Sequence, residues 1–150
     1  MHKHVWLVLL ACLSLAFAPA PRPKPKKKND LDVLRGDWKV VRVEIGGSDL
    51  TERYLRFGMG VSITKGHWKF SRQGRPLAAE YAITLNPKNR PKTIDLKHTA
   101  SGLVILGIYR LEKDTFKICY RPQRKGAVGR PTSFTGDGNA LVMTLRREKR

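Results

Sequence analysis

Histidine, cysteine and acidic side chains most often catalyse reactions or bind metals, and the sequence downstream of residue 18 has few of them in useful arrangements. Its histidines, His67 and His98, stand alone and far apart. Neither has the spacing to further histidines or cysteines that a zinc site uses. We therefore expect surface histidines and no metal site.

Cys119 is the one cysteine downstream of residue 18, so it cannot form an internal disulfide and packing must hold the domain together. Its strand position favours a small, partly buried hydrophobic side chain. A catalytic thiol is the alternative, although no neighbouring base supports it. Glu80 and Asp95 are isolated carboxylates that we expect to offset nearby lysines and arginines. With no phosphate-binding loop and no nucleophile elbow, the sequence predicts no catalytic residues, no cofactor and a non-enzymatic protein.

Aromatic residues recur at alternate positions of the predicted strands, which places them on one face of a sheet. They would either line a cavity for a small ligand or simply fill the core, and the residues leave both alternatives open. The candidate ligand-lining residues are Trp68, Phe70, Tyr81, Tyr109, Phe116 and Tyr120.

The chain is strongly basic, with 30 lysines and arginines against 12 acidic residues and a formal net charge of +18. This excess favours polyanionic surroundings such as acidic glycans, anionic lipid or nucleic acid, bound without sequence recognition. A solvated basic exterior is the alternative. The candidate polyanion-binding residues are Lys26, Lys27, Lys28, Arg121, Arg124, Lys125 and Arg130.

The stretch over residues 103–121 predicts a β-hairpin, because both arms are rich in β-branched and aromatic residues. A two-residue turn at Lys113-Asp114 sets three pairs opposite each other: Leu111 and Phe116, Tyr109 and Ile118, and Gly107 and Tyr120. The first arm is apolar on its other face as well, through Val104, Leu106 and Ile108. We expect a short helix over residues 50–57 to cover that second face.

Two further turns predict a meander. Lys65-Gly66 sets Ile63 opposite Trp68, and Gln73-Gly74 sets Trp68 opposite Ala79 and Phe70 opposite Leu77. With strands over residues 37–45, 93–98 and 140–147 and a helical turn over residues 30–35, the chain has eight or nine closely spaced strands. This pattern predicts an antiparallel barrel or sandwich. Sequential hairpins favour the up-and-down barrel, because closure removes exposed edges.

The N-terminal region divides into two parts. Residues 1–18 predict a secretory signal peptide, with a basic start, an apolar run shorter than the ~20 residues that span a bilayer, and small residues near its end. A membrane-anchoring helix and lipid attachment at Cys12 are the alternatives. Residues 19–29 predict an extended basic Pro/Lys linker, and residues 30–148 the folded domain. We expect export to the periplasm, the cell surface or the medium.

Five short motifs together resemble the lipocalin-like domain found in many small exported proteins of planctomycete bacteria. They are GDWKVV (36–41), PKTIDL (91–96), ILGIY (105–109), DTFKICY (114–120) and RPTSF (130–134). The resemblance implies an all-β, lipocalin-like barrel of about eight strands with one or two short helices. It implies structural roles for Gly36 and for Trp38, whose ring closes the barrel floor beneath Arg146 or Arg147. Most members of that family have no assigned function, so it implies a fold more than an activity.

Two function classes follow. The first is an exported, monomeric barrel that binds a small apolar ligand, since eight strands leave room for side chains or for one small ligand. The second is a basic cell-surface module that binds polyanions. In that case we expect binding to fall steeply as salt is added.

Overall fold

The computed structural model describes residues 28–122 and 129–149. The predicted signal peptide and most of the predicted linker lie outside the described residues. So do four of the candidate polyanion-binding residues: Lys26, Lys27, Arg124 and Lys125.

The described chain is mostly strand. Its two short helices are α1 (Asp30–Leu34) and α2 (Thr51–Arg56). Neither helix of the described ranges is long and apolar enough to cross a bilayer. The strands are β1 (Gly36–Ile45), β2 (Ser48–Asp49), β3 (Met59–Thr64), β4 (His67–Arg72), β5 (Arg75–Asn86), β6 (Lys92–His98), β7 (Val104–Glu112), β8 (Thr115–Tyr120) and β9 (Leu141–Arg147).

Eight of these strands close into an antiparallel barrel. They follow one another in chain order from β3 to β9, and β1 closes the barrel by pairing with both β3 and β9. The start of β1 pairs with β3, where Trp38 lies opposite Val61. Its other edge pairs with β9 from Trp38, opposite Arg147, to Ile45, opposite Leu141. An irregularity between Val40 and Arg42 interrupts the β9 pairing. The short β2 is an extra strand on β1. The predicted all-β, up-and-down barrel is confirmed.

Turn chemistry determines most of the register. The hairpin β7–β8 pairs Leu111 with Phe116 and Gly107 with Tyr120, as the turn at Lys113-Asp114 predicts. Lys113 has a φ of 42°, which a tight two-residue turn requires. The hairpin β3–β4 is also confirmed, with Ile63 opposite Trp68 and Val61 opposite Phe70.

The predicted register between β4 and β5 is wrong. The strands leave the Gln73-Gly74 turn correctly paired, but an irregularity between Lys69 and Ser71 then shifts the pairing, so that Trp68 faces Tyr81 rather than Ala79. A shift of two residues keeps the alternation of side chains. Tyr81 therefore still faces the interior, whereas Leu77 is 42% exposed and lies outside the core.

The two ends of the barrel differ, and we call the end beside α1 the closed end and the end beside α2 the open end. At the closed end, α1 lies beside the start of β1, together with the turns at residues 65–66, 87–91 and 113–114. At the open end lie α2, the connections over residues 46–58, 73–74 and 99–103, and residues 136–140. Arg130 and Phe134 lie lower, on the outer wall against β6, β7 and β8. The main core runs through the interior and includes Trp38, Ile63, Ile94, Ile118 and Leu145.

A second, smaller core lies on the outer face of the barrel. Ile108 and Cys119 are buried there with Ala140 and Val142, and Phe134 packs against them. The covering residues Phe134 and Ala140 belong to the described part of the connection between β8 and β9. The helix α2 instead packs on β1 and β3, so the prediction that it covers the outer face of β7 is wrong, and Leu106 is only partly buried.

Candidate functional site

The barrel interior brings the predicted aromatic residues together. Trp68 is central, with its ring centroid 5.4 Å from that of Phe70 and 6.0 Å from that of Phe116. The ring centroid of Phe116 also lies 6.2 Å from that of Tyr109, and the ring centroid of Phe70 lies 6.3 Å from that of Tyr81. Edge-to-face contacts of this kind stabilise aromatic clusters beyond their buried area. The result is a continuous row of rings from the closed end towards the open end.

The closed half of this row is filled. Trp68 and Phe116 are 0% exposed, and Tyr109 and Trp38 are 1% exposed. A side chain with no surface open to a water-sized sphere has no room beside it for a ligand. Trp68, Tyr109 and Phe116 therefore fill the barrel rather than line a cavity, and the alternative of a filled core holds for these three residues.

The floor of the barrel is built around Trp38. Its indole Nε1 donates to the Leu34 carbonyl of α1 at 2.8 Å, and the Arg147 guanidinium lies 4.2 Å from its ring centroid. Arg147 also donates to the backbone carbonyls of Arg35 and Val33. Arg146 is exposed, so of the two arginines that the resemblance allows, Arg147 covers the tryptophan and Arg146 does not.

Gly36 permits this arrangement. Its φ is +128°, and a Cβ atom there would lie 3.1 Å from Nη1 of Arg147. Only glycine adopts this backbone conformation readily and leaves the space that the guanidinium occupies. The structure thus gives Gly36 and Trp38 the structural setting that the family resemblance implies.

Tyr109 and Lys92 hold α1 to the barrel wall. The Tyr109 hydroxyl donates to Oδ2 of Asp30 at 2.7 Å, and Lys92 Nζ donates to the same oxygen at 2.8 Å. Burial raises the pKa of Tyr109 well above its usual range, and the hydrogen bond to Asp30 and its negative charge raise it further. The hydroxyl is therefore a fixed donor in a structural contact.

The open half is different, because three of its aromatic rings are only partly buried. Phe70 and Tyr81 are partly exposed, as is Tyr54 of α2 above them, and Tyr120 is 8% exposed. Burial raises the pKa of Tyr120 well above its usual range, with smaller contributions from the neighbouring Tyr54 and Tyr81 hydroxyls. Three tyrosines thus approach each other where the barrel opens. Tyr54 is missing from the sequence-predicted set, because that set comes from the predicted strands and Tyr54 lies on α2.

The remaining reactive groups are engaged or inert. Glu80 contacts His67 at 3.2 Å and Lys69 at 3.4 Å, which confirms that its charge is offset. His98 shares a 2.8 Å hydrogen bond with Ser101. Burial raises the pKa of the Cys119 thiol to about 11, so the thiol stays protonated and unreactive at neutral pH. Within residues 28–122 and 129–149, no cluster of three potential metal ligands occurs.

The candidate polyanion-binding residues that the structure describes do not form a basic patch. Arg130 donates to Asp95 at 2.7 Å and to the Gly107 carbonyl at 2.6 Å. It therefore holds this part of the chain onto the β6–β7 wall, and its role in binding polyanions stays a prediction. Arg121 is partly buried at the open end, whereas Lys28 is exposed before α1 at the closed end.

The sequence matches no model of a known protein family, and a search of curated proteins finds no significant relative.

Proposed function

We propose that this protein is an exported, non-enzymatic, monomeric barrel that binds a small apolar ligand at its open end. The observation that carries the proposal is the change in burial along the barrel axis. Rings in the closed half are fully buried by their neighbours, whereas Phe70, Tyr81 and Tyr54 keep surface open to solvent. Partly exposed aromatic rings inside a concave wall are typical of sites for small apolar molecules.

The same change in burial along the barrel axis limits the length and position of the ligand. Because Trp68 and Phe116 fill the closed half, a long chain cannot pass down the barrel, and the ligand must sit against Phe70, Tyr81 and Tyr120. Aromatic rings favour a flat, apolar molecule, and the tyrosine hydroxyls favour one polar group at its edge. The protonated Cys119 thiol and the paired Glu80 support a binding role rather than catalysis.

Titration with N-phenyl-1-naphthylamine, an uncharged fluorescent probe of apolar sites, tests this function. We expect saturable enhancement of its emission by the purified protein. We expect Tyr81→Leu to raise the dissociation constant of the probe about tenfold, because it removes one ring contact and one hydroxyl. Tyr109→Phe is the matched control: it removes a hydroxyl at the filled end and should leave probe binding unchanged.

Two results would contradict the proposal. One is the absence of saturable probe binding to the folded protein. The other is an equal loss of affinity in both variants, which would place the probe elsewhere or reflect a general change in folding.

A further inference from the structure

The exposed apolar side chains of this protein lie at one end of the barrel. Among the described residues, the large hydrophobic side chains that remain exposed are Leu55 (45%), Phe57 (37%), Leu77 (42%) and Leu103 (46%). The first two belong to α2 and the residue after it, the third to the start of β5 and the last to the connection before β7. All four positions are at the open end, although the closed end has three turns and α1.

Arginines accompany these apolar side chains. Arg53 and Arg56 lie on α2, and Arg72 and Arg75 flank the turn between β4 and β5. The Arg72 guanidinium lies 4.8 Å from the ring centroid of Phe57. No described carboxylate forms an ion pair with any of these four arginines.

The acidic side chains of the same end leave this positive charge in excess. They are Glu44, Asp49, Glu52 and Asp137, and Glu44 is paired with Arg42 at 2.9 Å. Asp49 accepts the backbone N–H of Thr51 at 2.8 Å, and hydrogen bonding from the Thr51 side chain and backbone lowers the pKa of Asp49. Arg121 and Lys97 add further positive charge near this end.

We propose that the open end docks on the surface of an anionic phospholipid bilayer. Leu55, Phe57, Leu77 and Leu103 enter the boundary between headgroups and acyl chains, and the four arginines contact lipid phosphates. Side chains of this kind stabilise interfacial binding through buried apolar area and through attraction to anionic headgroups. Arginine suits this place because its stem packs on apolar surface while its guanidinium reaches a phosphate.

Charge complementarity and distribution favour a bilayer over other occupants. A soluble polyanion would use the arginines but would gain nothing from four exposed apolar side chains. The apolar side chains also come from three separate chain segments with arginines nearby, which fits a laterally uniform surface. This docking uses the outside of the open end and does not require that the barrel bind a ligand.

A site-specific label tests the proposal in the full chain. Residues 1–28 include an apolar run and lysines that can bind vesicles by themselves, so bulk sedimentation would not locate the contact. In a Cys12→Ser background, the nitrobenzoxadiazole fluorophore is attached at Leu103→Cys, and in a second protein at Lys113→Cys in the β7–β8 turn of the closed end. Cys119 is buried and does not compete for the label.

We expect vesicles of phosphatidylcholine mixed with phosphatidylglycerol to shift the emission of the label at residue 103 to shorter wavelength and to leave that at residue 113 unchanged. Vesicles of phosphatidylcholine alone should act much more weakly. In the protein labelled at residue 103, the double change Arg53→Gln and Arg56→Gln should weaken vesicle binding roughly thirtyfold. The matched pair Lys88→Gln and Lys113→Gln removes equal charge from the closed end and should change it little.

Three outcomes would overturn the proposal. Equal shifts at both positions would mean that the barrel has no preferred orientation. Vesicle binding without a shift at residue 103 would assign the contact to other parts of the chain. A shift that appears without vesicles as protein concentration rises would make this end a surface for a second copy. The third outcome would also change the monomeric state in the proposed function. None of the three decides whether the probe binds in the barrel, so docking and ligand binding are tested separately.

Discussion

Arg146 and Arg147 are adjacent arginines in the last strand, and strand alternation sends them to opposite faces. Leu145 faces the core, Arg146 faces solvent, and Arg147 turns back over the floor of the barrel, where it covers Trp38. The inward pattern of Leu141, Met143 and Leu145 continues to Arg147, so the alternation alone selects this arginine. The family resemblance left both positions open.

This difference predicts unequal effects of two single substitutions. We expect Arg147→Ala to lower the free energy of unfolding by about 3 kcal/mol, because it removes a cation–π contact and charged hydrogen bonds to two carbonyls of the α1 region. Arg146→Ala removes a solvated side chain and should change it by less than about 0.5 kcal/mol. Urea denaturation of both variants measures the difference. Equal destabilisation would mean that Arg147 does not cover the floor.

At the scale of elements, α1 is too short to be stable alone, so its contacts with the barrel must hold it. Asn29 caps it by accepting the Asp32 N–H at 2.7 Å. Asp30 reaches Tyr109 and Lys92, whereas Asp32 contacts Arg35 on the surface at 3.4 Å. The helix thus carries one anchoring carboxylate and one solvated carboxylate two positions apart.

These two carboxylates provide a matched test of how α1 is held. We expect Asp30→Ala to destabilise the protein by about 2 kcal/mol and to speed amide exchange in α1, since it leaves the buried Tyr109 hydroxyl without its acceptor. Asp32→Ala breaks an exposed ion pair and should cost less than about 0.5 kcal/mol. Denaturation and hydrogen exchange of both variants measure this. Similar exchange rates in the two variants would contradict an anchoring role for Asp30.

Elements joined by tight turns are those that the sequence predicts best. The turns at residues 65–66 and 113–114 contain residues that accept positive φ, and they determine the β3–β4 and β7–β8 registers. The β4–β5 irregularity is not predictable in this way, because a two-residue shift leaves the apolar alternation intact. The burial of Ile108 on the outer face is not predictable either, since the residues that cover it, Phe134 and Ala140, are distant from it along the chain. The sequence likewise predicts which aromatic residues face the barrel interior. It does not predict which of them are fully buried, because that depends on how the rings pack once the barrel has closed.

At the scale of the whole molecule, the barrel is held by packing within the described residues, and three of its buried groups ionise only at high pH. Burial raises the pKa of the Cys119 thiol from 9.0 to about 11 and raises those of Tyr109 and Tyr120 well above 10.0. A group whose pKa is higher in the folded state than in the unfolded state binds its proton more tightly there. Its contribution to stability is complete below the unfolded pKa and is lost as pH rises towards the folded value.

The contribution of these three groups to the free energy of unfolding should therefore be constant below pH 9.0 and fall above it. Between pH 9.0 and about 11 the Cys119 thiol alone contributes a loss of about 3 kcal/mol, because each pKa unit corresponds to about 1.4 kcal/mol. The tyrosines add to the fall above pH 10.0. In Cys119→Ala the fall should begin near pH 10 instead of near pH 9, whatever the stability of the variant at neutral pH. Urea denaturation across this range measures both curves, and an identical onset would show that the thiol does not gain its proton affinity from burial in the fold.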